Sequence, residues 1–461
     1  MTAPSQSVYR IADVRAVERA LPSAELMARA GAAAFALLRD RWPEARHLVV
    51  VAGPGNNGGD GRVLARLAQK AGYRVAVVDL DAAATAIPGC DVIVDALFGI
   101  GLSRAPDGAA AALIEAMNAH PAPVLALDVP SGLDADRGEA PGAVVVADAT
   151  IAFLCHKPGL FNGVGPRCGG VVSLASLDVP SEVFEGCTPV ADVIPPGLAG
   201  ALLGARPRDA HKGDFGHVLV IGGNEGMGGA ATLAADAALR CGAGRVTVAV
   251  ASGFTARVSA RAEAMVRELD ATAALVPLLE RASVVAIGPG LGTDAWARAM
   301  LDAALACGKP LVADADALNL IAERPTRRAD WIVTPHPGEA ARLLATTTTE
   351  IQRDRLVAVH ALAGRTGAVV VLKGAATVVA GGVRPRICTA GNPGMAGAGM
   401  GDLLTGVIAA LWAQGLGAAD AAAAGVQLHA EAGDLTARDG ERGLLAGDLM
   451  WALRRRVNAL S

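Results

Sequence analysis

Three segments in the first half of the chain place acids or amides directly after apolar runs. "GPGNNGGDG" (53–61) follows "HLVVVA". "DALFGIGLSRAPDG" opens at Asp95, and "LALDVPSGLDAD" carries Asp128 with Ser131 three residues on. Acids at the carboxyl ends of strands in an open sheet converge on the crevice where ligands bind. A helix starting there offers free N–H groups to an anion, and glycine lets the backbone come close to a phosphate. Asn57, Asp95 and Ser131 add oxygen donors of the kind a hard cation prefers. A tight strand-to-helix turn also favours Asn and Asp, but five glycines and two asparagines in nine residues surrender more packing than a turn requires. A dinucleotide fingerprint stays open as an alternative, because Asp79 and Asp81 fall near the spacing of a ribose-binding acid.

The second half carries "NPGMAGAGMGDLLTGVIAALWAQG". Gly397, Gly399 and Gly401 leave bare backbone N–H groups opening a helix, with Asp402 in its first turn. Such a nest cradles a phosphoryl group and stabilises charge developing on it. Asp402 can accept the proton of an attacking hydroxyl. His336 sits between prolines at a strand end, a poor place for core packing. Only five lysines occur among 41 Lys and Arg residues, so those present matter. Lys373 ends an apolar strand, where a charge is expensive unless a phosphate meets it. Lys212 reads equally well as surface, and Lys157 receives no role.

Both halves need α/β sheets to position these residues. Strand candidates alternate with alanine-rich helical stretches, the pattern of a parallel sheet covered by helices on both faces. The pattern degrades in the Pro- and Gly-rich stretch around 176–210 and then restarts, giving two domains, 1–205 and 206–461. The helix after "GPGNNGGDG" is expected from about Asp60–Gly61.

The 461 residues are 52% hydrophobic with a formal charge of −4, enough apolar matter for sizeable cores and no electrostatic footprint for nucleic acid. No apolar stretch reaches bilayer length and the N-terminus lacks a signal-peptide core, so no membrane association and a cytoplasmic location are expected. The seven cysteines show no metal-ligand spacing and read as small hydrophobes in a reducing compartment.

"GPGNNGGDG", "DALFGIGL", "LDVPSGLDAD" and "ADATIAFLCHKPGL" together resemble the NAD(P)H-hydrate epimerase domain over nearly all of residues 1–200. The resemblance implies a Rossmann-like, three-layer α/β/α domain. In it Asn56, Asn57, Gly58, Gly59, Asp60, the loop Gly99, Ile100, Gly101, Leu102, Ser103, Arg104, Ala105, and Asp128 bind the damaged nucleotide. It also implies that Asn57, Asp95 and Ser131 bind K+; Asp128, at the neighbouring strand end, is expected to be the acid/base. Arg62 stands where that family usually has an apolar or aromatic residue.

From Lys212 to about Gly415, "HKGDFGHVLVIGGNEGMGGAA", "AIGPGLG", "VADADALN", "TPHPGEAARLL", "VVLKGAATVVA" and the glycine nest look like the ADP-dependent NAD(P)H-hydrate dehydratase, a ribokinase-like α/β domain. By that likeness Ala230, Gly292, His336 and Asp402 contact the hydrated nucleotide. Lys373, Gly374, Ala375, Ala376, Thr377 and Gly401 bind ADP, which brings Mg2+. The implied ligands are NAD(P)HX and ADP, and the implied assembly is a homo-oligomer. The implied reactions are epimerisation of (R)- and (S)-NAD(P)HX and dehydration of the (S) form with release of AMP and phosphate. Two other readings keep their place: a ribokinase-like small-molecule kinase with an accessory nucleotide-binding domain, and a nucleotide sensor without turnover.

Overall fold

The computed structural model describes residues 6–80, 86–102, 104–253 and 261–458, so Ser103 and Asp81 lie outside the described residues. The chain forms two compact units, Met1–Val193 and Ile194–Ser461.

The first unit opens with β1 (Ser7–Val8), α1 (Ile11–Arg19) and α2 (Ser23–Arg41). There follow β2 (His47–Ala52), α3 (Asn56–Lys70), β3 (Arg74–Asp79), β4 (Val92–Ala96), α4 (Gly108–Ala119), β5 (Val124–Leu127), β6 (Ala149–Phe153), β7 (Val171–Ala175) and β8 (Ala191–Val193). Strands β2–β7 form a six-stranded sheet in the order β3-β2-β4-β5-β6-β7, every pair parallel. The two-residue period of a strand sends alternate side chains to opposite faces. Val50, Val92, Val94, Leu125 and Leu127 pack with Val14, Leu38 and Leu64 of α1, α2 and α3. Val49, Val51, Ile93, Val124 and Ala126 pack with Leu113, Ile114 and Met117 of α4. Three layers result, as the alternation of runs implied. The chain leaves β2 toward β3 on one side and crosses to β4 on the other. The strand order therefore reverses between β2 and β4, which is where such folds open a crevice.

Helix α3 begins at Asn56, earlier than expected: "NNGGD" is its first turn and not a loop ahead of it. Gly55 is the extended residue before it, and the free N–H groups of a first turn replace those of a loop.

The second unit builds β9 (His217–Ile221), β10 (Arg245–Ala251), β11 (Met265–Leu269), β12 (Val284–Ile287), β13 (Leu311–Ala313), β14 (Trp331–Val333), β15 (Val369–Leu372), β16 (Val378–Ala380) and β17 (Arg386–Ile387). Their order is β17-β16-β15-β14-β13-β12-β9-β10-β11. The last three in sequence join antiparallel and the rest run parallel. Here the reversal lies between β9 and β12. Helices Gly228–Arg240, Met400–Ala413 and Ala418–Thr436 cover one face, packing on Val218, Val220, Val248, Val284 and Ala286. The first two come very close: a Cβ on Gly406 would fall 2.0 Å from the Ala234 carbonyl oxygen. Among the described residues no single helix is long and apolar enough to cross a membrane.

The division at Val193 lies upstream of the composition break at 205/206. The short helix Leu198–Leu203 belongs with the second unit, where Ile194 and Ala199 join the core. The Gly197 N–H donates to the buried Glu431 carboxylate at 2.9 Å. A Pro/Gly-rich stretch looks like a linker in sequence even when it docks. A chain trimmed to residues 194–461 is expected to melt at a higher temperature than one trimmed to 206–461. Each kcal/mol lost with this segment lowers Tm by roughly 2–4 °C at this size. Equal melting curves for the two would show that the segment contributes nothing.

Candidate active sites

In the first unit a cavity of about 700 Å³ opens at the β2/β4 reversal, and Asn56, Asn57, Asp60, Gly99, Ile100, Gly101 and Asp128 line it together with Arg15, Glu18 and Leu154. Most of the expected substrate-binding residues are thus brought together. Gly58 is in the same turn but faces the strand: a Cβ there would lie 1.9 Å from the Gly53 carbonyl oxygen. Gly59 packs on the Met27 side chain. Leu102, Arg104 and Ala105 are not among the walls, and Ala105 lies beside Gly142 instead.

The side chains in this cavity are held unevenly. Asn57 is buried, and among the described residues neither of its amide atoms has a hydrogen-bond partner, a position that a ligand or ion would satisfy. Asp95 is fully buried. It accepts from the Ser131 hydroxyl at 2.6 Å, the Ser131 N–H at 2.8 Å and the Leu97 N–H at 3.2 Å. Burial pushes its carboxyl up to about 6 against these bonds. Asp60 is pushed up to about 8 by burial and by the neighbouring Asp128 and Glu18 carboxylates. It is therefore a proton donor at neutral pH.

Asp128 stands at the end of β5 with φ of 68°, and the Val129 N–H donates to the Leu127 carbonyl across it at 2.9 Å. A three-residue turn with positive φ is the strained form, of order 1–3 kcal/mol. The neighbouring strand β6 ends the same way at Leu154, φ 66°, with the Cys155 N–H on the Phe153 carbonyl at 2.8 Å. Lys157, which sequence reasoning left unassigned, is buried and donates to Asp128 Oδ1. Its signal was the scarcity of lysine. Asp79, which a dinucleotide fingerprint would need for ribose, pairs with Arg62 at 2.5 Å, and Arg62 also donates to the Gly53 carbonyl at 2.9 Å.

In the second unit Asp402 lies in the first turn of the Met400–Ala413 helix, after Gly399 with φ of 87°. Gly397 and Ala398 before it are exposed, Gly399 and Gly401 are half-buried, and the first-turn N–H groups have no partner within the helix. Lys373 follows β15 and ion-pairs with the buried Asp314 at 2.5 Å; Glu339 Oε2 stands 3.9 Å from the same ammonium. Asp314 also accepts from Thr405 at 2.8 Å. Burial opposes its charge, but Lys373 outweighs burial and holds it below the usual carboxylate range. Burial likewise opposes the Lys373 charge, and Asp314 and Glu339 overcome it and raise its pKa. A Cβ on Gly401 would sit 3.2 Å from Lys373 Nζ, so the expected nucleotide residues Lys373 and Gly401 meet. Asp402 is pushed up to about 6 by burial and by Asp314, with Lys373 pulling the other way.

His336 caps the Pro337–Leu344 helix, accepting from the Gly338 N–H at 2.9 Å while its own N–H donates to Glu339 at 2.7 Å. Burial lowers its pKa and raises that of Glu339 to about 7. The Gly292 N–H, beyond β12, donates to Asp316 at 2.8 Å, whose charge also raises Asp402. Ala230 lies in the first turn of the Gly228–Arg240 helix. Gly374, Ala375, Ala376 and Thr377 form the β15–β16 turn, closed by the Thr377 hydroxyl on the Gly374 carbonyl at 2.8 Å. Sequence reasoning missed Asp314 and Glu339, although "VADADALN" and "HPGE" had placed one at a strand end and the other three residues after His336. Lys212 is exposed.

A family model described as NAD(P)H-hydrate dehydratase matches residues 218–455. A second, described as YjeF-related protein N-terminus, matches residues 23–85 and 79–159. The bifunctional NAD(P)H-hydrate repair enzyme Nnr of Coxiella burnetii is 46% identical over 471 residues, covering 96% of each chain. The enzyme of that name from Escherichia coli is 43% identical over 488 residues, covering 98% of this chain and 94% of its own. Among solved structures, a hypothetical protein of Streptococcus mutans matches with a TM-score of 0.54 at 32% identity, over 58% of this chain and 100% of its own. A ribokinase-like superfamily protein of Enterococcus faecalis matches with a TM-score of 0.53 at 32% identity, over 57% and 93%.

Asn57→Leu removes two buried polar atoms that have no partner. Without ligand the variant is expected to be more stable by about 1–3 kcal/mol, read as a higher melting temperature of the first unit, while losing ligand binding in the cavity. A lower melting temperature would mean that the amide is satisfied in the free protein.

Proposed function

Since the chain belongs to the bifunctional NAD(P)H-hydrate repair enzymes, we propose that the first-unit cavity inverts the hydrate epimers and that the second-unit nest dehydrates one of them. The protein is an epimerase and a dehydratase of hydrated nicotinamide nucleotides. Membership across both units leaves no need for an accessory domain or a passive sensor. The assignment of residues rests above all on Asp402: a carboxylate pushed up to about 6, in the first turn of a helix entered through Gly397 and Gly399.

The hydrated ring carries a hydroxyl on the carbon beside the ring nitrogen. Hydroxide leaves poorly, and a phosphate ester leaves well. Asp402 takes the hydroxyl proton while the terminal phosphoryl group of ADP passes to the oxygen and AMP departs. The C–O bond then breaks, phosphate leaves with the electron pair, and the adjacent carbon gives up a proton to restore the double bond. Lys373 and the free N–H groups around Gly401 hold the phosphates, and the β15–β16 turn borders the rest of the nucleotide. His336, Gly292 and Ala230 border the hydrate. Glu339, with Asp314 beside it, could supply the one or two protein carboxylates that Mg2+ arriving with ADP would need. When bound, Mg2+ neutralises charge on the group in transit.

Only one epimer suits a chiral dehydratase pocket, so the first unit supplies it. Asp128 takes the hydroxyl proton as the oxygen's electron pair forms a carbonyl and the bond from that carbon to the ring nitrogen breaks with its pair on nitrogen. Re-closure on the opposite face of the carbonyl returns the proton to oxygen, with Asn57 and the first turn of α3 holding the nucleotide. Asn57 Oδ1 without a partner, the Asp95 carboxylate and the Ser131 hydroxyl fit K+ as a donor set. When bound, the ion fixes these groups and offsets carboxylate charge.

Asp402→Asn is expected to lower dehydration of the (S)-hydrate with ADP by about 10²–10⁴-fold and to leave epimerisation intact. Recovery of NADH absorbance at the wild-type rate would defeat the assignment. Since the base must be ionised, wild-type kcat/KM should rise with pH and level off above about 6; a flat profile between pH 5 and 7 would count against it.

Asp128→Asn reverses the pattern. The (S)-hydrate is consumed normally, whereas the (R)-hydrate remains beyond its slow spontaneous inversion. Equal consumption of both epimers would remove Asp128 from the chemistry.

A further inference from the structure

Lys157 is among the largest fully buried side chains, 1% exposed. Two acceptors hold its ammonium: Asp128 Oδ1 and the Phe153 carbonyl, the latter at 2.6 Å. The Phe153 N–H donates to the same Asp128 Oδ1 at 3.2 Å. Phe153 closes β6, and the backbone turns at Asp128 and Leu154 are the two positive-φ turns at these adjacent strand ends. Among the described residues no hydrogen bond reaches the other oxygen, Oδ2. It points toward Gly99, where a Cβ would lie 3.6 Å from it and 3.4 Å from Asn57 Cγ. Gly99, Asn57 and Asp128 all line the cavity.

We propose that Lys157 is a positioning residue for epimerisation, clamping Asp128 through Oδ1 so that Oδ2 alone meets the substrate hydroxyl. The proposal rests on Asp128 as the acid/base. A carboxylate free to rotate would offer either oxygen and would spend part of its time turned from the hydroxyl. With Oδ1 doubly bonded on the β6 side, rotation would break two hydrogen bonds, one of them from a buried charge. The proton then moves between the hydroxyl oxygen and Oδ2 only, and the negative charge passes the opposite way. A buried ammonium is otherwise expensive, and one placed on a catalytic carboxylate has a use for its position. Near-attack geometry is sensitive to small displacements, so loosening the clamp should be felt in turnover.

The test uses the full chain with purified (R)-hydrate, following NADH formation with the dehydratase unit of the same chain as reporter. Dehydration of (S)-hydrate is the internal control. Lys157→Met is expected to lower epimerisation kcat at least tenfold with KM changed less than twofold and (S)-hydrate consumption unaltered. Wild-type kcat in Lys157→Met, while Asp128→Asn is inactive, would overturn the role of Lys157 and spare that of Asp128. Wild-type activity in Asp128→Asn would instead overturn the underlying reading. Removing one partner of a buried pair can unfold the unit, so Lys157→Arg, which keeps the charge, is measured as well. An epimerisation kcat well above that of Lys157→Met supports the clamp, and one no higher, with the unit folded, would overturn it.

Discussion

In both units, loops leaving adjacent strand ends touch backbone to backbone. A Cβ on Gly53 would fall 1.9 Å from the Leu97 carbonyl oxygen, and one on Gly288 would fall 1.8 Å from that of Asp314. No side chain fits at these contacts, and the strand ends therefore stay close enough for short side chains to meet. Asn57 and Asp128 converge across Gly99, and Lys373 and Asp314 meet beside Gly401. The glycine cost noted in the sequence is thus a condition on spacing as much as on phosphate approach. It also explains why Gly58 matters without lining the cavity.

Each site pairs a buried ammonium with a carboxylate, in different ways. In the first, Lys157 holds Asp128 itself, and the raised pKa falls on Asp60 across the cavity. In the second, Lys373 holds Asp314, and the neighbouring Asp402 is raised instead. Burial is the larger cause in both cases, and a neighbouring carboxylate, Asp128 in the first site and Asp314 in the second, adds to it.

The parts legible in sequence were those whose chemistry is local. Asp402 after alternating glycines, Asn57 after a glycine-rich strand end, and the alternation of strands and helices all sit within one segment. Lys157 and Asp128 are far apart in sequence and on different strand ends, and only the pairing of β5 with β6 brings them together. Asp314 was invisible for the same reason: its partner Lys373 comes from β15, across β14. The start of α3 was misjudged because glycine-rich residues read as loop, yet a turn packed on Gly53 and Met27 tolerates them. Asp79, the acid a dinucleotide fingerprint would use, pairs with Arg62, and no spacing rule reveals that pairing.

The cysteines carry a consequence for redox chemistry. Cys155, Cys241 and Cys388 lie in the cores, and burial pushes the thiols of Cys155 and Cys388 up to about 12. The thiolate is the form that oxidants and electrophiles attack, and at pH 7 such a group is ionised only about once in 10⁵ molecules. Cys155 adjoins the strained turn beside the first cavity. A reactive thiol there would put the site within reach of peroxides and other electrophiles, and the burial of Cys155 beside the turn withholds it from them.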